Sequence, residues 1–124
     1  MVHFETEHLP IGDLEYLNHL ATISSRKAAR ELVASAPGAV TKEIELIKSA
    51  IADNNPDLLK EACHALRGAC YSVQGRRLAH ITQQMENCST DIDDARQLLK
   101  PLEEVSNDTI AWWHHILEKD LICG

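Results

Sequence analysis

The chain has 124 residues, 44 % of them hydrophobic and 25 % charged, the usage of one soluble globular domain rather than of a disordered, collagen-like or membrane chain. Twelve Lys and Arg against nineteen Asp and Glu leave a formal charge of −7, which repels a phosphate backbone and argues against nucleic acid as a partner. Four cysteines without a CxxC pair, in a chain long enough to build a core without staples, point to reduced thiols and a cytoplasmic setting; neither a signal peptide nor an 18-residue apolar span is evident, so no membrane insertion is expected.

Strict alternation of apolar and polar residues never persists, and glycine and proline are few, so the helical period is the one to test. Asp13 is placed to cap a short amphipathic helix carrying Leu14, Leu17 and Leu20. Ser24 or Ser25 caps a second short run, RKAARELVASA, which Pro37-Gly38 is expected to stop, placing the short N-terminal helices at about 13–36. From Ala39 to Asp53, Val40, Ile44, Ile47 and Ile51 form one helical stripe, broken by Asn54, Asn55 and Pro56.

Pro56 suits the first position of a second long helix with Asn55 as its cap. Gln74-Gly75 separates it from a third, in which Leu78, Ile81, Met85 and Cys88 repeat at the seam spacing of an antiparallel neighbour. Thr90 or Asp91 caps the last long segment, with Ile92, Ala95, Leu98, Leu99, Leu102 and Val105; Pro101 is expected to kink it and Ser106-Asn107-Asp108 to interrupt it before IAWWHHILEKDL. The predicted architecture is all-α: an antiparallel up-and-down four-helix bundle over about 39–119, preceded by one or two short helices, the whole chain forming one domain.

Winding the second long helix at about 100° per residue around Ala62 puts Leu58, Leu66, Ala69 and Val73 within about 40° of the core direction. Cys63 and Cys70 fall at the edge of that stripe, and Lys60, His64, Arg67, Gly68 and Tyr71 point away from it. His64 is thus an exposed mid-helix imidazole, with a cation one turn on and then a glycine. Gly68 costs the helix about 1 kcal/mol relative to alanine and implies a compensating use: without a side chain there, an imidazole nitrogen stays open to an approaching group.

Read together, H-A-L-R-G-A at 64–69, S-V-Q-G-R-R-L-A at 72–79 and Q-M-E at 84–86 resemble the histidine phosphotransfer (HPt) domains of two-component multistep phosphorelays. In that family a histidine is followed three residues on by lysine, then by glycine, a Gly-rich turn and a second helix with Leu-Ala and a terminal Glu. The register runs without gaps from His64 to Glu86. Arg67 stands where the family usually has lysine; it keeps the cation and adds a planar fork able to grip phosphoryl oxygens at two points. Gln74 stands at the family's turn glycine and Gly75 follows it, implying a hairpin loop shifted by one residue.

The resemblance implies that His64 is the phosphoacceptor, taking a phosphoryl group from the aspartate of one receiver domain and giving it to another. Arg67 would stabilise the phosphoryl group and Gly68 would keep access to the imidazole. Receivers of response regulators or hybrid sensor histidine kinases are the implied partners. Magnesium is expected on the receiver, with no cofactor or metal held by this chain, and the chain is expected to act as a monomer. Neither a P-loop nor a Gly-rich kinase loop is present, so autonomous kinase activity is not expected.

Lys60, Tyr71, Ala79, Gln83 and Glu86 are the expected partner-binding residues, with Gln83 and Glu86 at positions that touch the active imidazole in some relatives; a hydrogen bond from one of them to a ring nitrogen would set its tautomer. Competing readings are a helical scaffold that binds a signalling protein without being phosphorylated, and a haem or metal site using His64 with Cys63 and Cys70, although no spacing supplies four convergent ligands. Trp112, Trp113, His114 and His115 are consecutive and so face different ways on a helix, one part core and one part surface. His3, His8, His19 and His80 belong to no constellation.

Overall fold

The computed structural model describes residues 11–123; His3 and His8 lie outside the described residues. Helices α1 (Leu14–Ile23), α2 (Arg26–Ala52), α3 (Pro56–Ser72), α4 (Arg76–Asn87) and α5 (Ile92–Glu118) make up the fold, with no strand among the described residues. Packing runs α2 on α3, α3 on α4, α4 on α5 and α5 back on α2, which closes an up-and-down four-helix bundle; α1 leans on α2.

Four of the five helices begin at the capping residues legible in the sequence. Asp13, Ser25, Asn55 and Asp91 each accept a hydrogen bond from the backbone N–H three residues on, with Pro56 at the start of α3 where a missing N–H costs nothing. Three helices end alike. Asn54 (φ 50°), Gln74 (φ 58°) and Asp120 (φ 55°) are left-handed, and the following N–H reaches back to the carbonyl of Ala50, Cys70 and Ile116 respectively, at 2.9 Å each. This closure usually recruits glycine.

Two expected interruptions do not occur. Pro37 lies inside α2, although a proline removes an intrahelical hydrogen bond and costs an open helix about 3 kcal/mol. Ala29, Val33, Ala36, Val40, Ile44 and Ile47 form one buried stripe across it, so tertiary burial on both sides holds the helix together. The N-terminal part therefore holds one short helix, and the first bundle helix starts at Arg26. In α5, Ser106 and Thr109 face the core while Asn107 and Asp108 face solvent, and the helix continues to Glu118. Thr109 donates its hydroxyl to the Val105 carbonyl at 2.7 Å, which satisfies the buried oxygen.

The core meridian of α3 is rotated by about 50° from the expected one. Leu59, Ala62, Cys63, Leu66, Cys70 and Val73 are buried, whereas Leu58 and Ala69 are only partly so. Contact with α2 on one side and α4 on the other widens the buried sector. Both thiols are therefore core groups, not edge groups. Burial pushes the Cys63 thiol up to about 12, with Glu86 adding to the rise and Arg67 offsetting part of it, and burial alone pushes Cys70 up to about 12.

In the hairpin loop the left-handed residue is Gln74, and its side-chain amide donates to the Tyr71 carbonyl at 3.1 Å. Gly75 has φ −77° and serves packing instead: a Cβ there would stand 3.2 Å from the ring of Trp113 and 3.3 Å from Thr109. Trp113 is fully buried and donates its indole N–H to the Val73 carbonyl at 3.2 Å, tying α5 to the end of α3.

Candidate functional site

His64 stands in the middle of α3 on its outer face and is exposed. Gly68 is one turn on, and a Cβ built there would meet nothing within 4 Å. Nothing in the folded chain thus requires glycine at this position, although the helix is weakened by it. The space it leaves is on the solvent side of α3, one turn from His64.

Hollows flank the ring on both sides. One, of about 290 Å³, is lined by Asp57, Lys60, Glu61, His64 and Glu86. Another, of about 360 Å³, lies between α2 and α3, with Glu43, Leu46, Leu58, His64 and Ala65 on its walls. The α2 contribution to this surface was missed in the sequence, because which residues of α2 sit beside His64 depends on how two helices are rotated against each other. A larger groove, of about 460 Å³, lies further along the hairpin and is lined by Tyr71, Gln74, Arg76, Ala79, His80 and Gln83 among others.

Of the expected flanking residues, Lys60 and Tyr71 are exposed, Tyr71 by 60 %. Ala79 is a correction: it is buried, with 3 % exposure, because α4 is packed between α3 and α5, and it reaches only the floor of the larger groove. Gln83 and Glu86 are close to the site but, in a second correction, their bonds go to Arg67 rather than to the ring. The longer arginine side chain fills the gap between α4 and the imidazole.

Arg67 is the hub of the cluster. Its Nη1 donates to Gln83 Oε1, and its Nη2 lies 3.0 Å from His64 Nδ1. Nη2 also faces the Glu86 carboxylate, at 3.3 Å from Oε1 and 3.5 Å from Oε2, with the Arg67 and Glu86 side chains only 20 % and 14 % exposed. Gln83 is oriented in turn by donating its amide to Asn87 Oδ1 at 3.1 Å. Glu86 Oε1 is sealed from solvent and makes no hydrogen bond, so its pull on Arg67 is that of charge alone.

Cys63 and Cys70 face the core while His64 faces solvent, so they do not converge with it, and among the described residues no group of three His, Cys, Asp or Glu is placed to hold a metal ion. Trp113 is core, Trp112 is half-buried, and His114 and His115 are exposed on α5. No helix among the described residues is long and apolar enough to cross a membrane.

Comparison with curated proteins and with solved structures returned no match. Comparison with known families matches residues 31–117 to the Hpt domain, a span that holds α3 with His64, α4 and most of α2 and α5. The chain belongs to the Hpt domain family, the phosphotransfer modules of two-component signalling.

Proposed function

We propose that His64 accepts a phosphoryl group from the acyl phosphate of a receiver-domain aspartate and passes it to the aspartate of a second receiver. The observation that carries this reading is the exposed mid-helix imidazole beside the open space over Gly68, within an Hpt domain. In the forward step a neutral ring nitrogen forms the N–P bond and the P–O bond to the aspartate breaks. Its electron pair stays on the carboxylate, and the ring's other N–H proton leaves to water. The reverse sequence charges the second receiver.

Arg67 contributes charge-assisted hydrogen bonds to the phosphoryl oxygens, each about 1.5–3 kcal/mol where solvent is excluded. Gly68 keeps the approach clear, and Lys60, Tyr71, Gln83 and Glu86 frame the docking surface. Magnesium and the acidic residues that hold it belong to the receiver. The chain carries the group without making its donor, acts as a monomer, and works in the cytoplasm beside receivers of response regulators or hybrid sensor kinases.

The test is transfer from a phosphorylated receiver, in magnesium, to the unaltered chain and to His64→Gln, with the label located by peptide mass spectrometry. Acid-labile label on His64 that returns to a receiver and vanishes in His64→Gln is the expected result. Absence of label from a broad receiver panel, with binding to a receiver retained, would favour a scaffold that is not phosphorylated.

A further inference from the structure

Arg67 does more in this arrangement than wait for a phosphoryl group. We propose that it caps the lone pair of His64 Nδ1 in the resting protein and must exchange that acceptor for phosphoryl oxygens before His64 reacts. The Gln83–Arg67–Glu86 cluster is then a latch that sets how fast the site is charged. This inference rests on the reading of His64 as the phosphoacceptor.

A guanidinium has five donors and no acceptor, and it stays protonated in proteins. The 3.0 Å contact between Arg67 Nη2 and Nδ1 therefore uses the Nδ1 lone pair, and the proton of the neutral ring sits on Nε2. In that state neither nitrogen offers an electron pair to solvent: one lone pair is held by Arg67, and the other nitrogen carries hydrogen. Moving the proton to Nδ1 would set N–H against N–H. Either route to a nucleophilic nitrogen requires Arg67 to withdraw.

The latch is built to hold and to let go. Gln83, fixed by Asn87, gives Arg67 one acceptor, and Glu86 gives it charge. Yet the bond to Glu86 Oε2 is long, at 3.5 Å, and Oε1 makes none, so an arriving phosphoryl group with several anionic oxygens is a stronger competitor for the same donors. Once Arg67 turns to those oxygens, the ring exchanges its proton through water and the freed nitrogen forms the N–P bond, with the same balance of bonds and proton as above. Arg67 is catalytic in touching the phosphoryl group; Gln83 and Glu86 are positioning residues that act through it.

Two measurements without any receiver test this. In protein labelled with ¹⁵N-histidine, at a pH where the imidazole is neutral, ring spectra of His64 are expected to show the Nε2–H tautomer alone, and those of Arg67→Met a mixture with the Nδ1–H form. An Nδ1–H ring in the unaltered protein, or identical spectra in both, would overturn the cap. Second, chemical phosphorylation by phosphoramidate, read on the His64 peptide, is expected to run roughly threefold faster in Glu86→Gln, since one charge-assisted contact to Arg67 is lost while its own charge is kept. Unchanged or slower labelling would refute the latch, and Gln83→Ala provides the same readout should Glu86→Gln fail to fold. If receivers fail to label His64 while these results hold, the relay reading falls and the cap stands.

Discussion

Cys63 and His64 are adjacent in α3, yet one is fully buried with its thiol pushed up to about 12 and the other lies open between two hollows. The same division runs along the whole helix. Leu59, Cys63, Leu66 and Cys70 face α2 and α4, while Lys60, His64, Gly68 and Tyr71 face solvent, with Arg67 at the border. Of two kinds of nucleophile on one helix, the more reactive in water is silenced by burial, and the imidazole alone is presented. The inner face carries stability and the outer face carries the proposed chemistry, so changes to the two should separate cleanly.

The largest effect is expected on the inner face. Leu66→Ala removes a fully buried side chain and should cost about 2–5 kcal/mol of a total of about 5–15, read by urea unfolding. Phosphoramidate labelling of His64 in the protein that remains folded should be unchanged; a parallel loss of labelling would show that the faces are coupled.

Alkaline pH tests the buried thiols. Both ionise near 9.0 when unfolded and near 12 in the fold, so the native state holds protons that the unfolded chain releases. Their contribution to stability is complete below pH 9.0 and is lost as the pH rises toward 12, at about 1–2 kcal/mol per pH unit for each thiol. Melting temperatures followed above pH 9 should fall steeply in the unaltered protein and less so when both are alanine. Equal slopes would place the alkaline sensitivity elsewhere.

On the outer face the signs should be opposite. Gly68→Ala adds a methyl group that touches nothing in the folded chain, so stability should rise by about 1 kcal/mol. Transfer from a receiver should slow, because the methyl occupies the space beside His64. Faster or unchanged transfer, measured with one receiver at matched concentration, would remove clearance as the reason for the glycine.

The smallest expected effect lies between the faces, at the hairpin turn. Gln74→Gly relieves a left-handed glutamine at the loss of its bond to Tyr71, with a net gain of about 0.5–1 kcal/mol in thermal unfolding. A loss of stability would show that the side-chain bond outweighs the backbone strain.

Much of the fold is legible because its causes are local. Asp13, Ser25, Asn55 with Pro56, and Asp91 mark helix starts through bonds to the third residue on, and the stripe from Val40 to Ile51 needs only the helical repeat. Local signs misled where packing outweighed them. Pro37 and the Ser106-Asn107-Asp108 run both lie inside long helices because the buried stripes on either side continue in phase. The left-handed positions that end α2, α3 and α5 are held by Asn54, Gln74 and Asp120, not by the glycine that usually announces such a turn.

The sequence by itself determined the helical class, most helix starts and the exposed histidine with its glycine, since each follows from spacings within a turn or two of one helix. Tertiary structure alone decided how far α3 is rotated, that Ala79 is covered, and that Gln83 and Glu86 hold Arg67 instead of the imidazole. These last contacts join residues 16 and 19 positions apart across the hairpin. Their geometry depends on how α4 lies against α3, and that is set by the packing of the whole bundle rather than by any spacing along the chain.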